Sequence, residues 1–575
     1  MLYPKSNKYR DVYNLNGVWN YKTVENDYIP YEKATGTALM AVPASCNDIV
    51  TDKAVKDYVG KFLFETVFSI PVRNGRQYRL RVGATSHKCE VYLNGEKIGD
   101  GINGYYPIDF PLDNLQEENR LSIVIDNRLT FQTLPTGNVI NGKQIIQHDF
   151  YNFTGIHRDV LVYSVPEKYI HDIQIKTVVG GDYSVVSVNV DTDCKTVISS
   201  IKDKDGSVIA TGSNGLLKVP SPHTWSPQTP YLYTLTVETE CDKYEEKFGI
   251  RKVEVKDGQF LLNDKPIYFK GFGMHEDFFI LGKGNNAAVN IRNFELLKWI
   301  GANSIRTSHY PYSEEIMSLA DEYGFMVIDE VPAVGMNWWA PDEGKHWFDD
   351  GAFRSDRIND TTKALHKELI KRLIERDKNH PCVIALSVAN EAATHEKASY
   401  PYFKDVIGYA RSVCDLPVTI IEYTKFQDYE YMRAHDGNYV GDLVDFIGLN
   451  RYYGWYTDHG CSEASYTQLK TEMENYHETF KKPILITEFG ADTIEGLHAL
   501  PSETFSEEYQ REYLQENCRA IDECDFCIGE HVWNFADFKT KQGLTRIRGN
   551  RKGVFTKDRQ PKLAAHYFRE RWREK

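Results

Sequence analysis

From Val253 onward the chain repeats one pattern eight times, a short apolar run followed by a longer stretch with helical spacing. The apolar runs are Ile267 to Gly273, Ser304 to Tyr310, Met326 to Val331, Val383 to Glu391, Val418 to Tyr423, Phe446 to Arg451, Ile484 to Gly490 and Cys527 to Asn534. Ala288 to Ile300, Leu365 to Lys378 and Glu507 to Ile521 are examples of the helical stretches between them. Strands buried on both faces read as continuous apolar runs, and strands separated by helices pair in parallel. Eight such units predict a closed (β/α)8 TIM barrel over 253–575. A barrel of this kind places its chemistry where its strands end. The residues to weigh are therefore His275, Glu276, His309, Asp329, Glu330, Glu391, Glu422, Asn450, Glu488, Trp533, Asn534 and Asp537.

A chain of 575 residues exceeds one hydrophobic core. The first 166 residues hold short alternating segments, among them Lys61 to Ile70, Gln77 to Val82, Lys88 to Leu93 and Arg120 to Ile125. Turn signals at Asn94-Gly95, Asp100-Gly101 and Asn103-Gly104 separate such segments, so 1–166 reads as an antiparallel, jelly-roll β-sandwich. Residues 167–252, with Tyr183 to Val190 and Tyr231 to Glu238, suit a small immunoglobulin-like β-sandwich. The expected order is thus two β domains and then an α/β barrel.

Charge and composition exclude several partners. A net charge of -14 repels nucleic acid and anionic membrane. No apolar run approaches the ~18 residues of a membrane span, and no leader pattern opens the chain, so a soluble, cytoplasmic protein is expected. The ten cysteines are scattered and should be reduced; the lone Cys524-x-x-Cys527 pair suits a buried structural role better than a metal or redox site. One segment departs from the acidic average: Lys539 to Lys562 carries nine basic residues against one acid, Asp558. A positive patch on an acidic protein points to an anionic small molecule, the plainer alternative being a solvated loop.

The run Val383 to Ala389 closes on Asn390-Glu391, and the run Ile484 to Thr487 closes on Glu488. Two carboxylates at the mouth of one barrel are what a retaining glycosidase uses, one as acid/base and one as nucleophile. A strand-end carboxylate can equally pair with an arginine or cap a helix, so context must decide. Asn390-Glu391 after the fourth run, Thr487 to Gly490 (TEFG) at the seventh and Trp533 to Asp537 (WNFAD) at the eighth resemble family 2 glycoside hydrolases. The order of sandwich, immunoglobulin-like domain and barrel matches that family along the whole chain. Asp149 to Arg158, Gly271 to Asp277, Ile300 to Tyr312, Asn450 to Tyr456 and Gly549 to Thr556 are similar to its glucuronide-cleaving members.

That resemblance implies Glu391 as general acid/base and Glu488 as nucleophile, with no metal or organic cofactor. Asn390 is then expected at the sugar 2-hydroxyl, His309, Trp533, Asn450 and Tyr452 around the sugar, and Tyr456 near the nucleophile. Asn550 and Lys552 match an Asn-x-Lys pattern that contacts a uronate carboxylate, Arg546 matches a further residue of that site, and Asp149 one that reaches the sugar from the first domain. Arg548, Arg551, Lys557 and Arg559 are left as surface or interface charges. The implied substrates are small β-glucuronides and the implied assembly a homotetramer. A β-galacturonidase or β-galactosidase on the same fold stays open, as does a silent carbohydrate binder, which the two intact carboxylates disfavour. The long stretch from Val334 to Asp360, with Trp338, Trp339 and Trp347, is expected to border the leaving-group side and a neighbouring subunit.

Overall fold

All eight apolar runs form strands, and they close into one parallel barrel. The computed structural model describes residues 2–338, 351–434 and 438–574. The barrel strands are β1 (Phe269–Gly273), β2 (Ser304–Arg306), β3 (Met326–Glu330), β4 (Val383–Asn390), β5 (Val418–Glu422), β6 (Ile447–Asn450), β7 (Ile484–Glu488) and β8 (Cys527–Val532). Every residue of β3 to β8 is buried, as the continuous apolar runs require. Helix boundaries follow their caps. The helix α1 (Ala287–Ile300) starts at Asn286, whose side chain accepts from Ala288 N and Val289 N. The helix α2 (Asp360–Asp377) begins five residues before the expected Leu365, because Asn359 and Thr362 form a capping box there.

Ahead of the barrel, a six-stranded sheet packs on a four-stranded one around Trp19, Phe62, Phe64, Leu80, Val91 and Ile123. Asn94-Gly95 is a hairpin turn, both residues having positive φ (52° and 92°). Asp100-Gly101 is not a turn: it lies inside the strand Glu96–Ile102, paired with Lys88–Leu93. Glycine stands there because the facing sheet comes close, and a Cβ at Gly101 would lie 2.6 Å from Ile108 Cδ1. A three-stranded and a four-stranded sheet follow, sharing the core Ile173, Val186, Ile201, Val219, Leu235 and Tyr244. The hairpin Val253–Lys256 and Gln259–Leu262 then plugs the barrel from below, with Phe260 edge-on against Phe269 at 5.0 Å and Phe446 at 5.6 Å.

The first sandwich is docked onto the barrel mouth, which matters for the site. Tyr151 N donates to Lys539 O at 3.0 Å, Thr136 N to Val334 O at 3.1 Å, and Arg158 Nη2 to Pro311 O at 2.6 Å. Four buried histidines line this joint: His87, His148, His157 and His275. Nε2 of each, and Nδ1 of His157, meets no hydrogen-bonding group of the described residues. Burial holds His87 and His148 down to about 3, and His157 and His275 well below their usual range. Each therefore folds neutral, while the unfolded chain takes up a proton below about 6.5. Stability should be complete above that pH and fall as pH drops toward 3, by ~1.4 kcal/mol per pH unit for each proton taken up. Calorimetry from pH 7 to 5, above the range where most carboxylates titrate, checks this; a flat Tm across that window would contradict it.

Candidate active site

Two irregularities in the barrel ladder aim the carboxylates. The β4–β5 register breaks between Ser387 and Asn390, and the β6–β7 register breaks between Leu449 and Asn450. Such breaks re-aim side chains at barrel rims. Glu391, the first residue past β4, adopts φ 49°, a left-handed backbone costing ~1–3 kcal/mol outside glycine. Its N–H holds the turn by donating to Ile421 O at 2.9 Å. Asn450 Nδ2 donates to Glu391 Oε1 at 2.8 Å and to Asn390 Oδ1 at 3.2 Å.

Glu488, the last residue of β7, receives more than an amide. Tyr452 OH donates to its Oε2 at 2.6 Å, Arg306 Nη2 donates to its Oε1, and His309 Nε2 lies 3.7 Å away. Arg306, fully buried at the end of β2, also sends Nη1 to both oxygens of Glu330 at 2.9 Å. Burial pushes Glu330 up, but Arg306, His309 and Ser387 together hold it below its usual range. Burial also pushes both Glu391 and Glu488 up, Glu488 to about 8, where the neighbouring charge of Glu391 adds to the effect and Arg306 and Tyr452 oppose it. Charge sits better on Glu488, which a guanidinium and a phenol face, and the proton better on Glu391, which a neutral amide faces.

Residues from three distant segments complete the cavity, which encloses about 360 Å³. Asp149 enters from the sandwich, and Arg546 Nε donates to both of its oxygens at 2.9 and 3.0 Å. Asn550 Nδ2 donates to Asp149 Oδ2 at 2.8 Å. Lys552 Nζ donates to Tyr456 OH at 2.8 Å and to Asp492 Oδ2 at 2.5 Å. Burial pushes Lys552 down, but Asp492 and Tyr456 overcome it and leave the ammonium above its usual range. Arg546 and Lys552 thus balance Asp149 and Asp492. Trp533 stacks on His309 at 5.1 Å and forms the floor.

Eleven of the twelve expected site residues line this one cavity: Asp149, His309, Asn390, Glu391, Asn450, Tyr452, Tyr456, Glu488, Trp533, Arg546 and Asn550. Lys552 does not; it stands behind Tyr456, fully buried. The phenol on Glu488 is Tyr452, whereas Tyr456 lies one ring further out, 5.0 Å from Tyr452, against Arg546 and Lys552. Periodicity could not separate two tyrosines on one turn. Arg559, expected at the surface, is buried, bonding Asn293 Oδ1 at 3.0 Å and Asp277 O at 3.1 Å. Trp338 docks on the sandwich through Nε1 to Thr136 Oγ1 at 2.9 Å, while Trp339 and Trp347 lie outside the described residues. Arg306 and Asp492 were missed. Arg306 had a signal, an arginine ending a barrel strand three residues before His309, where burial demands carboxylate partners. Among the described residues, Cys194, Glu240 and Cys241, and separately Asp321, His380 and Cys382, lie close enough to hold a metal, but neither group lines the cavity. Cys524 and Cys527 are buried, as a structural role requires.

Three family models cover the chain in order: the sugar binding domain of glycosyl hydrolases family 2 over 31–166, glycosyl hydrolases family 2 over 161–251, and its TIM barrel domain over 253–575. The chain belongs to glycosyl hydrolases family 2. It is similar to the β-glucuronidase of Paenibacillus borealis, 41% identical over 100% of this chain and 99% of the relative. The Homo sapiens β-glucuronidase is 35% identical over 100% of this chain and 92% of the relative. Among solved structures, a β-glucuronidase of an uncultured Clostridium sp. superposes with a TM-score of 0.94 at 42% identity, covering 100% of both chains. That of Ruminococcus gnavus in complex with uronic isofagomine gives 0.92 at 37%, covering 100% of this chain and 98% of the other. This family 2 glycoside hydrolase therefore carries two carboxylates at the barrel mouth, Glu488 buried and Glu391 half-buried, and a paired cation cluster across the cavity.

Proposed function

We propose that this glycoside hydrolase is an exo-acting, retaining β-glucuronidase, releasing D-glucuronate from β-D-glucuronides in two covalent steps, with 1–166, 167–252 and 253–575 as its domains. The observation that carries the reading is Arg546 and Asn550 on one wall of the cavity that Glu391 and Glu488 share, with the Lys552 ammonium directly behind that wall on Tyr456 OH. A uronate carboxylate entering a dry site needs charge and hydrogen bonds together, and this wall offers both. The family relatives, β-glucuronidases by name and one solved with a uronic ligand, support the same sugar.

In the first step Glu488 attacks the anomeric carbon as the bond to the leaving oxygen breaks, and Glu391 gives that oxygen its proton. Esterified Glu488 no longer carries charge, so the repulsion on Glu391 falls. It then takes a proton from water, whose oxygen attacks the anomeric carbon and frees Glu488. Arg306 steadies the carboxylate that leaves and returns. In this reading Asn390, whose Oδ1 accepts from Asn450 Nδ2, bonds the 2-hydroxyl.

The test is kcat/KM for the 4-nitrophenyl β-D-glucuronide, β-D-galacturonide and β-D-galactoside, with the first-formed anomer followed by proton NMR. Glucuronide should dominate and β-D-glucuronate should appear first. A dominant galacturonide would move the assignment to the epimeric uronate, a dominant galactoside would remove the uronate, and an α-anomer formed first would remove Glu488 as nucleophile. The pH profile follows from the burial of Glu391. A raised carboxyl keeps its proton to higher pH than a free one and loses it as pH rises further, so kcat/KM should fall on the high-pH side of the profile. Glu391→Gln should remove that high-pH limb and cost an alkyl glucuronide ~10²- to 10⁴-fold, an activated aryl glucuronide less. Equal losses on both substrates would contradict the acid role.

A further inference from the structure

The cations already described around this cavity each face a carboxylate: Arg306 faces Glu330 and Glu488, Arg546 faces Asp149, and Lys552 faces Asp492. Arg451, on the same wall as Tyr453, is held by Glu472. Lys425 differs. It lines the cavity, half-buried, with its ammonium 5.6 Å from the centre of the Tyr453 ring, and forms no ion pair or side-chain hydrogen bond among the described residues. Asp428, three residues on, donates its N–H to the Lys425 carbonyl at 3.0 Å and feels the lysine charge, yet does not pair with it.

Position gives this charge a meaning. Lys425 follows β5 by three residues, and β5 is the strand whose Ile421 carbonyl holds the turn at Glu391. Arg546 and Asn550 approach instead from the sandwich side, through Asp149 and Tyr456. A sugar with its carboxylate toward Arg546 and Asn550 and its glycosidic oxygen at Glu391 sends its leaving group along the wall of Tyr423, Lys425 and Tyr453. A cation there, partly shielded from water by an aromatic ring, attracts an anion more strongly than one in bulk solvent.

We infer that the leaving-group side of the cavity selects glucuronides whose aglycone itself bears a negative charge, a carboxylate or a sulfate, and that Lys425 is the residue that selects them. This rests on the glucuronidase reading above. The test compares kcat/KM for the 4-carboxyphenyl and 4-carbamoylphenyl β-D-glucuronides, alike in shape and different in charge, on the wild type, Lys425→Met, Lys425→Glu and Lys425→Arg. The ratio of charged to neutral substrate should fall about fivefold in Lys425→Met, as for a partly exposed ion pair, fall further in Lys425→Glu and stay near wild type in Lys425→Arg. In the wild type it should also shrink as salt rises from ~0.05 to ~0.5 M, an effect Lys425→Met should lack. A ratio that is the same in wild type, Lys425→Met and Lys425→Glu overturns the inference while leaving the glucuronidase reading intact. No turnover of either conjugate by the wild type overturns that reading, and this inference with it.

Discussion

Glu488→Ala should lower kcat on 4-nitrophenyl β-D-glucuronide by about 10⁴-fold or more, because no other group can form the covalent intermediate. The geometry makes the loss specific. Tyr452 and Arg306 are directed at that carboxylate, and neither can replace it as a nucleophile. The variant leaves Arg306 bonded to Glu330, so the barrel mouth keeps its main buried ion pair and the protein should fold. Azide, small and anionic, fits the space vacated beside Arg306 and should restore turnover with an α-glucuronyl azide as product. Glu391→Ala with azide should give the β-azide, since there the anion replaces the base on the opposite face. A β-azide from Glu488→Ala, or activity within tenfold of wild type, would reverse the two assignments or remove them.

The second large effect concerns the sugar. Lys552→Ala should reduce kcat/KM for the glucuronide relative to the matching glucoside by ~2–5 kcal/mol, roughly 30-fold to several thousandfold. Lys552 also pairs with Asp492, and its removal leaves that buried carboxylate to the more distant Arg546 Nη1 at 3.4 Å and the Arg551 N–H at 2.8 Å. A less-paired Asp492 disturbs the site for both substrates and also repels the glucuronide carboxylate, so a second substitution is needed to separate that repulsion from loss of the substrate's own partner. Lys552→Ala combined with Asp492→Asn should repair stability and leave the altered ratio in place. If the double variant regains the glucuronide preference, the lysine serves only to hold Asp492, and the uronate is bound by Arg546 and Asn550.

The fold was legible because its signals are local. A buried parallel strand has no polar face, so each barrel strand announced itself, and only its ends were overdrawn: Thr307 to Tyr310 extend the β2 run in sequence but leave the ladder after Arg306. Helix starts needed the caps, as Asn359 shows. The other failures come from packing that periodicity does not carry, whether across a sheet-to-sheet interface or between distant segments. Asp100-Gly101 looks like a turn until Ile108 is seen against it, and Arg559 looks like a surface charge until Asn293 closes over it.

By itself the sequence determined the two sandwiches, the eight-stranded barrel and the strand ends at which Asn390, Glu391 and Glu488 stand, because hydrophobic period and strand order are properties of neighbouring residues. Only the tertiary structure decided how charge is distributed among them. It gave Arg306 to Glu488 and Glu330, Asp492 to Lys552, and Asp149 to Arg546 across 397 positions, and it gave Lys425 no carboxylate among the described residues. The energy of an ion depends on what surrounds it within a few ångströms, and that is settled by packing.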